Sequence, residues 1–275
     1  MSSELCCSGL RRITAITPTI CDLMGIDHPA VCEDEPLPAI MRAAGDVGVT
    51  RARACLIHAP DAVGVHLYDE FRDQFRRVGN RTQVREKLCS VVPSKTPVCF
   101  SSMFTGAMPP THGVTKAVRP RPTLACDTLF DATARAGVRT AIIAVEGSSI
   151  DRLFRERDVD YYSLPDDSEI IEQSLELIKA KNHDFLLVYT RAYDRTMHRT
   201  NTRAPEALDA FRSQIESFET LVDAFDDAYA DRDRVVMFTP DHGAHDNPET
   251  GRGTHGDDIP DDMHVHHFFG IRKGT

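Results

Sequence analysis

The chain has no Cys-x-x-Cys pair, which removes the spacing used by thioredoxin-like redox sites and zinc ribbons. It also has no run of about 18 consecutive apolar residues, so no membrane-spanning helix is readable. The N-terminus, MSSELCCSGLRRITAITPTIC, lacks the continuous apolar stretch of a signal peptide. On that reading the eight cysteines are expected to be reduced and mostly buried, and the cytoplasm is the expected compartment. Positive charge is short as well: the net charge is −10. That argues against a nucleic acid polymer or an anionic membrane as partner. It leaves room for a small anionic substrate, because bound cations invert a local field. No repeat and no low-complexity tract is present, which sets solenoids and arrays aside.

What is present is a globular composition over 275 residues, 41% apolar and 27% charged. That is enough for a sizeable core. The chain is read as one catalytic domain over 1–275, with 1–50 an N-terminal extension of unassigned role. Buried-type strands are expected at Ala54–His58, Leu88–Val92, Thr140–Val145, Tyr161–Leu164, Asp184–Tyr189, Val235–Phe238 and Val265–Ile271. Helical periodicity is expected over 65–78, from Ser94 to Gly106, over 124–136, from Asp167-Ser168 through Ile178, and over 206–229. Shorter helices are expected near 17–24 and 37–44, and Pro109–Gly113 reads as a loop. Strands alternating with helices predict an α/β fold, a three-layer sandwich around a largely parallel sheet. In such sheets ligands bind at the carboxyl ends of the strands.

That rule draws attention to VVMFTPDHGAHD, residues 235–246, where Asp241-His242 follows a buried strand at once. Asp61 follows another strand, and Asp194 follows DFLLVY by a few residues. His198 lies four residues beyond Asp194, so one helical turn puts both on one face. His255 sits between Gly253-Thr254 and Gly256, where the backbone can bring an imidazole close to a crowded site. Singly, these are equally a polar turn, a helix-surface pair and a surface loop. Together, three aspartates and three histidines support a two-metal hydrolytic centre.

Four passages in order then carry a resemblance: HAPDAVG (58–64), KTPVCFSSMFTGAMPPTHGV (95–114), YDRTMH (193–198) and TPDHGAHD with GTHGDD (239–258). They resemble the alkaline phosphatase superfamily, nearest to its type I phosphodiesterase/nucleotide pyrophosphatase and phosphonoacetate hydrolase branch. Thr105-Gly106 and the Pro-x-x-His-Gly loop match the family pattern, and counting back nine residues from Thr105 reaches Thr96. The resemblance implies that Asp61, Thr96, Asp241 and His242 hold one divalent ion. Asp194, His198 and His255 would hold another. Mixed His and Asp donors suit Zn²⁺ first, then Mn²⁺, with Mg²⁺ a third option. It implies a hydrolase of small phosphorylated substrates, with Thr96 as nucleophile and a covalent phospho-threonine. Phosphonate hydrolysis, or a non-catalytic metal-binding relative, is the alternative. The short segments 140–184 and 242–255 imply that the cap of longer members is reduced or absent. The chain departs from the pattern in having Pro97 directly after Thr96 and no Asn in the first turn.

Other residues are set aside. His264, His266 and His267 should alternate along the last strand and so cannot all reach one ion. His112 is expected to be structural, and His245 and Asp246 to lie behind the centre. Asp257 and Asp258 read as turn formers, Lys95 as either a contact for a substrate phosphate or a solvated surface lysine, and Arg119 and Arg121 as parts of a surface loop.

Overall fold

Branched and aromatic apolar residues set the middle of the sheet. The computed structural model describes residues 6–117 and 123–275; Arg119 and Arg121 lie outside them. The strands are β1 Arg11–Arg12, β2 Ala54–Pro60, β3 Val84–Cys89, β4 Thr140–Val145, β5 Asp160–Leu164, β6 Phe185–Thr190, β7 Arg234–Phe238, β8 His245–Asp246, β9 Gly253–Thr254 and β10 His264–Arg272. Eight of them form one sheet in the order β1-β3-β10-β7-β2-β6-β4-β5, and β8 and β9 form a small separate ladder. Strand β10 runs antiparallel to both β3 and β7; every other pairing in the large sheet is parallel.

The helices are α1 Ile16–Met24, α2 Pro38–Asp46, α3 Val65–Glu70, α4 Arg72–Gly79, α5 Thr96–Thr105, α6 Pro109–His112, α7 Leu129–Arg135, α8 Ser149–Leu153, α9 Asp167–Ala180, α10 Ala192–Met197, α11 Pro205–Ala228 and α12 Pro260–Met263. Every residue of β2, β4, β6 and β7 is buried. Alternation along them therefore feeds two cores rather than one core and a solvent face. Cys55, Ile57, Leu187 and Met237 pack with α1, α2, α5, α7 and α8. Leu56, Leu186, Val188 and Phe238 pack on the other side with α4, α9 and α11. Full burial of each such Leu or Ile stabilises the fold by about 1.5–3 kcal/mol. The result is the expected three-layer α/β sandwich. Among the described residues no helix is long and apolar enough to cross a membrane.

Residues 11–50 are part of this packing. Ile16, Ile20 and Met24 enter the same core as α5, and the Thr17 hydroxyl donates to the Met103 carbonyl at 2.7 Å. With neighbours on all sides, all ten residues of α5 are buried.

Several expectations need correction. The segment 65–78 is two helices, because Phe71 leaves helical geometry (φ −110°, ψ 44°) to pack on Phe211. The strand expected at 88–92 is Val84–Cys89. Its first half carries the consecutive charges Arg85, Glu86 and Lys87, with Arg85 and Lys87 exposed, and that polar run masks the strand's start. The helix expected from 124 begins at Leu129, where Thr128 and Asp131 cap each other reciprocally. Asp166, not Asp167-Ser168, caps α9 by accepting from Ser168 and Glu169 N–H. Pro109–His112 forms a helical turn rather than a loop. Cys7 and Cys89 form a disulfide, which overturns the reading of wholly reduced cysteines for that pair. The other six cysteines are free, with Cys21, Cys55 and Cys99 buried.

Candidate metal centre

Three hydrogen-bonded neighbours in the sheet, β7, β2 and β6, deliver three aspartates to one place. Asp241 follows β7, Asp61 follows β2, and Asp194 lies in α10 just beyond β6. The chain turns sharply after Asp61: Ala62 takes a left-handed φ of 64°, a conformation that costs a residue with a Cβ about 1–2 kcal/mol. That turn points the Ala62 N–H at Asp241 Oδ1, 3.3 Å away. Gly64 and Gly243 let the two loops touch through their backbones. A Cβ on Gly243 would collide with the Asp261 carbonyl oxygen and lie 3.0 Å from Gly64 Cα. Gly243→Ala is therefore expected to destabilise the fold by roughly 1–3 kcal/mol in denaturant unfolding. Gly45→Ala, in a helix with open space around it, should be neutral or slightly stabilising.

All seven residues singled out in the sequence meet here. Asp61, Asp241 and His242 place ligand atoms within 4.8 Å of one another, and so do Asp194, His198 and His255. His242 Nε2 lies 3.5 Å from Asp61 Oδ1 and 3.2 Å from Asp241 Oδ2. Asp194 Oδ1 lies 3.2 Å from His198 Nε2 and 3.4 Å from His255 Nε2. The two groups adjoin, with the His242 and His255 rings stacked at 4.0 Å. The Thr96 hydroxyl closes the arrangement, 3.3 Å from both Asp61 Oδ1 and His242 Nε2. It sits in the first turn of α5, where the helix dipole favours negative charge.

The histidine hydrogen bonds decide which ring nitrogens are free. His198 Nδ1 meets the Gly253 carbonyl at 2.9 Å, His242 Nδ1 the Gly243 carbonyl at 2.9 Å, and His255 Nδ1 the Ser94 carbonyl at 2.7 Å. A carbonyl only accepts, so each Nδ1 carries the proton and each neutral ring turns an Nε2 lone pair inward. His198 Nε2 and His255 Nε2 then face each other at 3.1 Å, a contact that needs a cation between the two lone pairs. Asp194 Oδ1 and Asp241 Oδ2 are buried without a hydrogen bond, near imidazoles but out of hydrogen-bond geometry. The donor set thus fits divalent ions.

Electrostatics agree. Burial, and then the neighbouring Asp194, push the Asp61 carboxyl well above its ordinary range. Burial and Asp61 do the same to Asp241. Burial, then His255, drives His242 down, so its lone pair stays available. Burial works against the ionised form of Asp194, but the His198 and His255 imidazoles beside it outweigh that and hold its pKa low. The adjacent Asp194 carboxylate in turn raises His198.

The other hydroxyls and the thiol near Thr96 have partners or burial of their own. Ser94 Oγ donates to the Asp257 carbonyl, Ser101 Oγ to the Pro97 carbonyl, and Ser102 Oγ pairs with His112 Nε2. The Cys99 thiol is fully buried, and burial holds its pKa well up. His112 is structural as expected, since its Nδ1 accepts from Val114 N–H. His264, His266 and His267 diverge, to the Cys6 carbonyl, the Tyr68 ring and the Pro240 carbonyl respectively. His245 and Asp246 brace the loops, through Asp262 and the Thr202 N–H. Lys95 departs from expectation: it is half-buried and donates to the His255 carbonyl.

Sequence reasoning missed two supports. The Tyr189 hydroxyl donates to Asp61 Oδ2, and the only cue was a tyrosine closing a buried strand. Asp167 caps α10 from outside by accepting the Arg191 and Ala192 N–H groups, and so positions Asp194.

The type I phosphodiesterase/nucleotide pyrophosphatase family matches residues 67–270. The chain belongs to that family. Its fold is similar to that of phosphonoacetate hydrolase from Sinorhizobium meliloti 1021, at TM-score 0.52 and 20% identity. That alignment covers 72% of this chain and 59% of the hydrolase. Murine ectonucleotide pyrophosphatase/phosphodiesterase 5 aligns at TM-score 0.56 and 15% identity, over 71% of this chain and 59% of the murine one. The human counterpart aligns at TM-score 0.55 and 15% identity, over 71% and 58%. This phosphodiesterase-family chain thus spans less than two thirds of the length of those structures. No curated protein matches it.

Proposed function

We propose that the protein is a two-metal hydrolase of phosphoric esters, diesters or nucleotide pyrophosphates before monoesters, working through a covalent phospho-threonine at Thr96. The observation that carries this reading is the Thr96 hydroxyl, at the start of α5 and 3.3 Å from both Asp61 and His242. When bound, divalent ions would supply the positive charge that makes this hydroxyl an alkoxide at neutral pH. Asp61, Asp241 and His242 would hold one ion and Asp194, His198 and His255 the other, with Zn²⁺ the best match to the donors.

Thr96 Oγ attacks phosphorus, and the bond from phosphorus to the leaving alcohol breaks. Water then attacks the phospho-threonine, the bond from phosphorus to Oγ breaks, and the hydroxyl is regenerated. The α5 N-terminus favours the charge that gathers on Oγ in both halves. Tyr189 and Ala62 keep Asp61 and Asp241 in register while this happens. An inactive threonine-to-alanine form of the murine phosphodiesterase in complex with AMP supports a threonine-dependent reaction in this fold.

The test is a panel of p-nitrophenyl phosphate, bis-p-nitrophenyl phosphate and phosphonoacetate with Zn²⁺, Mn²⁺ or Mg²⁺. Turnover of the diester above the others is expected. Turnover of phosphonoacetate alone would favour phosphonate hydrolysis instead. No turnover of any, with both ions bound, would make the chain a non-catalytic relative.

A further inference from the structure

Asp262 is fully buried, and the proposed chemistry gives it no task. Its Oδ2 accepts the N–H of Gly256 at 2.7 Å and of Asp257 at 2.8 Å. Its Oδ1 faces His245 Nδ1 at 2.8 Å. Its backbone carbonyl accepts the Gly243 N–H at 2.8 Å. One residue thus ties both metal loops together, the His242–Gly243 loop by main chain and the His255–Gly256 loop by side chain.

The second loop needs such a tie. Gly256 has φ +127°, a conformation open to glycine and strained for other residues. Its N–H and the next converge on one oxygen of the buried Asp262 carboxylate, although Gly256 itself is half-buried and Asp257 exposed. Without that acceptor the two amides would turn to water, and the loop would lose the tie that sets its path. His255 would move with it, since its Nδ1 bond to Ser94 orients the ring and leaves the Gly256–Asp257 backbone without a hold of its own.

We infer that Asp262 is a positioning residue for the Asp194–His198–His255 half of the centre, holding His255 Nε2 on target through the Gly256 and Asp257 amides. The inference rests on the two-ion reading. It separates the two ions, because a side-chain substitution leaves the main-chain bond to Gly243 in place.

The experiment is calorimetric titration of Zn²⁺ into chelator-stripped protein. Wild type should bind two ions. Asp262→Ala should bind one ion as wild type does and the other about 10–100-fold more weakly, the range for lost support behind a ligand. Asp262→Asn keeps one acceptor oxygen for the two amides and should recover most of that loss. Amide exchange at Gly256 and Asp257 should accelerate in the Ala variant and far less in the Asn variant. Should the Ala variant fail to fold by circular dichroism, Asp262→Ser, too short to reach both amides, replaces it with the same expectation. Equal weakening of both ions, or none, overturns the assignment of Asp262. Wild type binding fewer than two ions overturns the two-ion reading, and this inference with it.

Discussion

Thr96→Ala is expected to lower kcat by about a thousandfold or more, the order that loss of a covalent nucleophile costs in enzymes generally. Metal content should stay close to wild type. The six other donors remain, and their orientation comes from backbone carbonyls, Ala62 and Tyr189 rather than from the Thr96 hydroxyl. The fold should hold as well, since position 96 opens a helix packed on every side by residues the substitution leaves alone. Thr96→Ser, which keeps the hydroxyl, should retain measurable turnover. Steady-state kinetics on the best ester of the panel, beside elemental analysis of each variant, makes the comparison. Wild-type turnover in the alanine variant would remove Thr96 from the chemistry and return Ser94 and Cys99 to consideration.

The second large effect is removal of the ions. Three aspartates and three histidines converge in a buried site, and two carboxylate oxygens have no hydrogen bond. A site filled at a thousand times its Kd adds about 4 kcal/mol. For a chain of this size each kcal/mol moves Tm by about 2–4 °C. Chelation should therefore lower Tm by on the order of 10 °C, reversibly on adding Zn²⁺.

The carboxyl part of the stripped protein's pH dependence has a definite sign. Asp61 and Asp241 have raised carboxyl pKa values, so without ions the native state binds more protons than the unfolded chain. Stability from these two is present below the ordinary carboxyl range and lost as pH rises through the raised values. Asp194 acts oppositely: held low, it contributes stability above its unfolded value that is lost only as pH falls. Buried histidines with lowered pKa values, His58, His66, His266 and His267 among them, add stability as pH rises in stripped and loaded protein alike. Against that shared background the Tm of stripped protein should fall further below that of loaded protein as pH is raised from about 5 to about 8. The loaded protein, with its carboxylates ionised throughout, should show little of the carboxyl part. A gap between loaded and stripped Tm that fails to widen over this range would contradict the assigned carboxyl environments.

Much of this was legible in advance. Thr140–Val145 forms a strand with the bounds read from its apolar run, because a strand buried on both faces is written as a continuous string. The seven centre residues were legible because each follows a strand end, sits in a helical turn or lies between glycines, and family resemblance put Thr96 among them. What stayed hidden depends on contacts across the chain. Phe71 breaks a periodic helix for the sake of Phe211, 140 positions away. The Cys7–Cys89 bridge joins residues 82 apart, and no spacing rule links two scattered cysteines. Asp167 looks like the cap of its own helix and instead serves another. Asp262 looks like one acid among several in GDDIPDDM, and only the folded loops show two amides converging on it.

The order of strands carries a consequence for where this molecule begins as a working unit. The family's shared segment opens at Leu67. Yet β2, flanked on both sides in the sheet by β7 and β6, ends seven residues earlier and carries Asp61 just beyond it. Helix α1, upstream again, lies in the core that holds α5. A chain trimmed to the recognisable family segment would keep Thr96 and lose both the carboxylate beside it and the partner that the two flanking strands pair with. A piece able to assemble the centre therefore has to include β2, and α1 as well if the packing around α5 is to be kept.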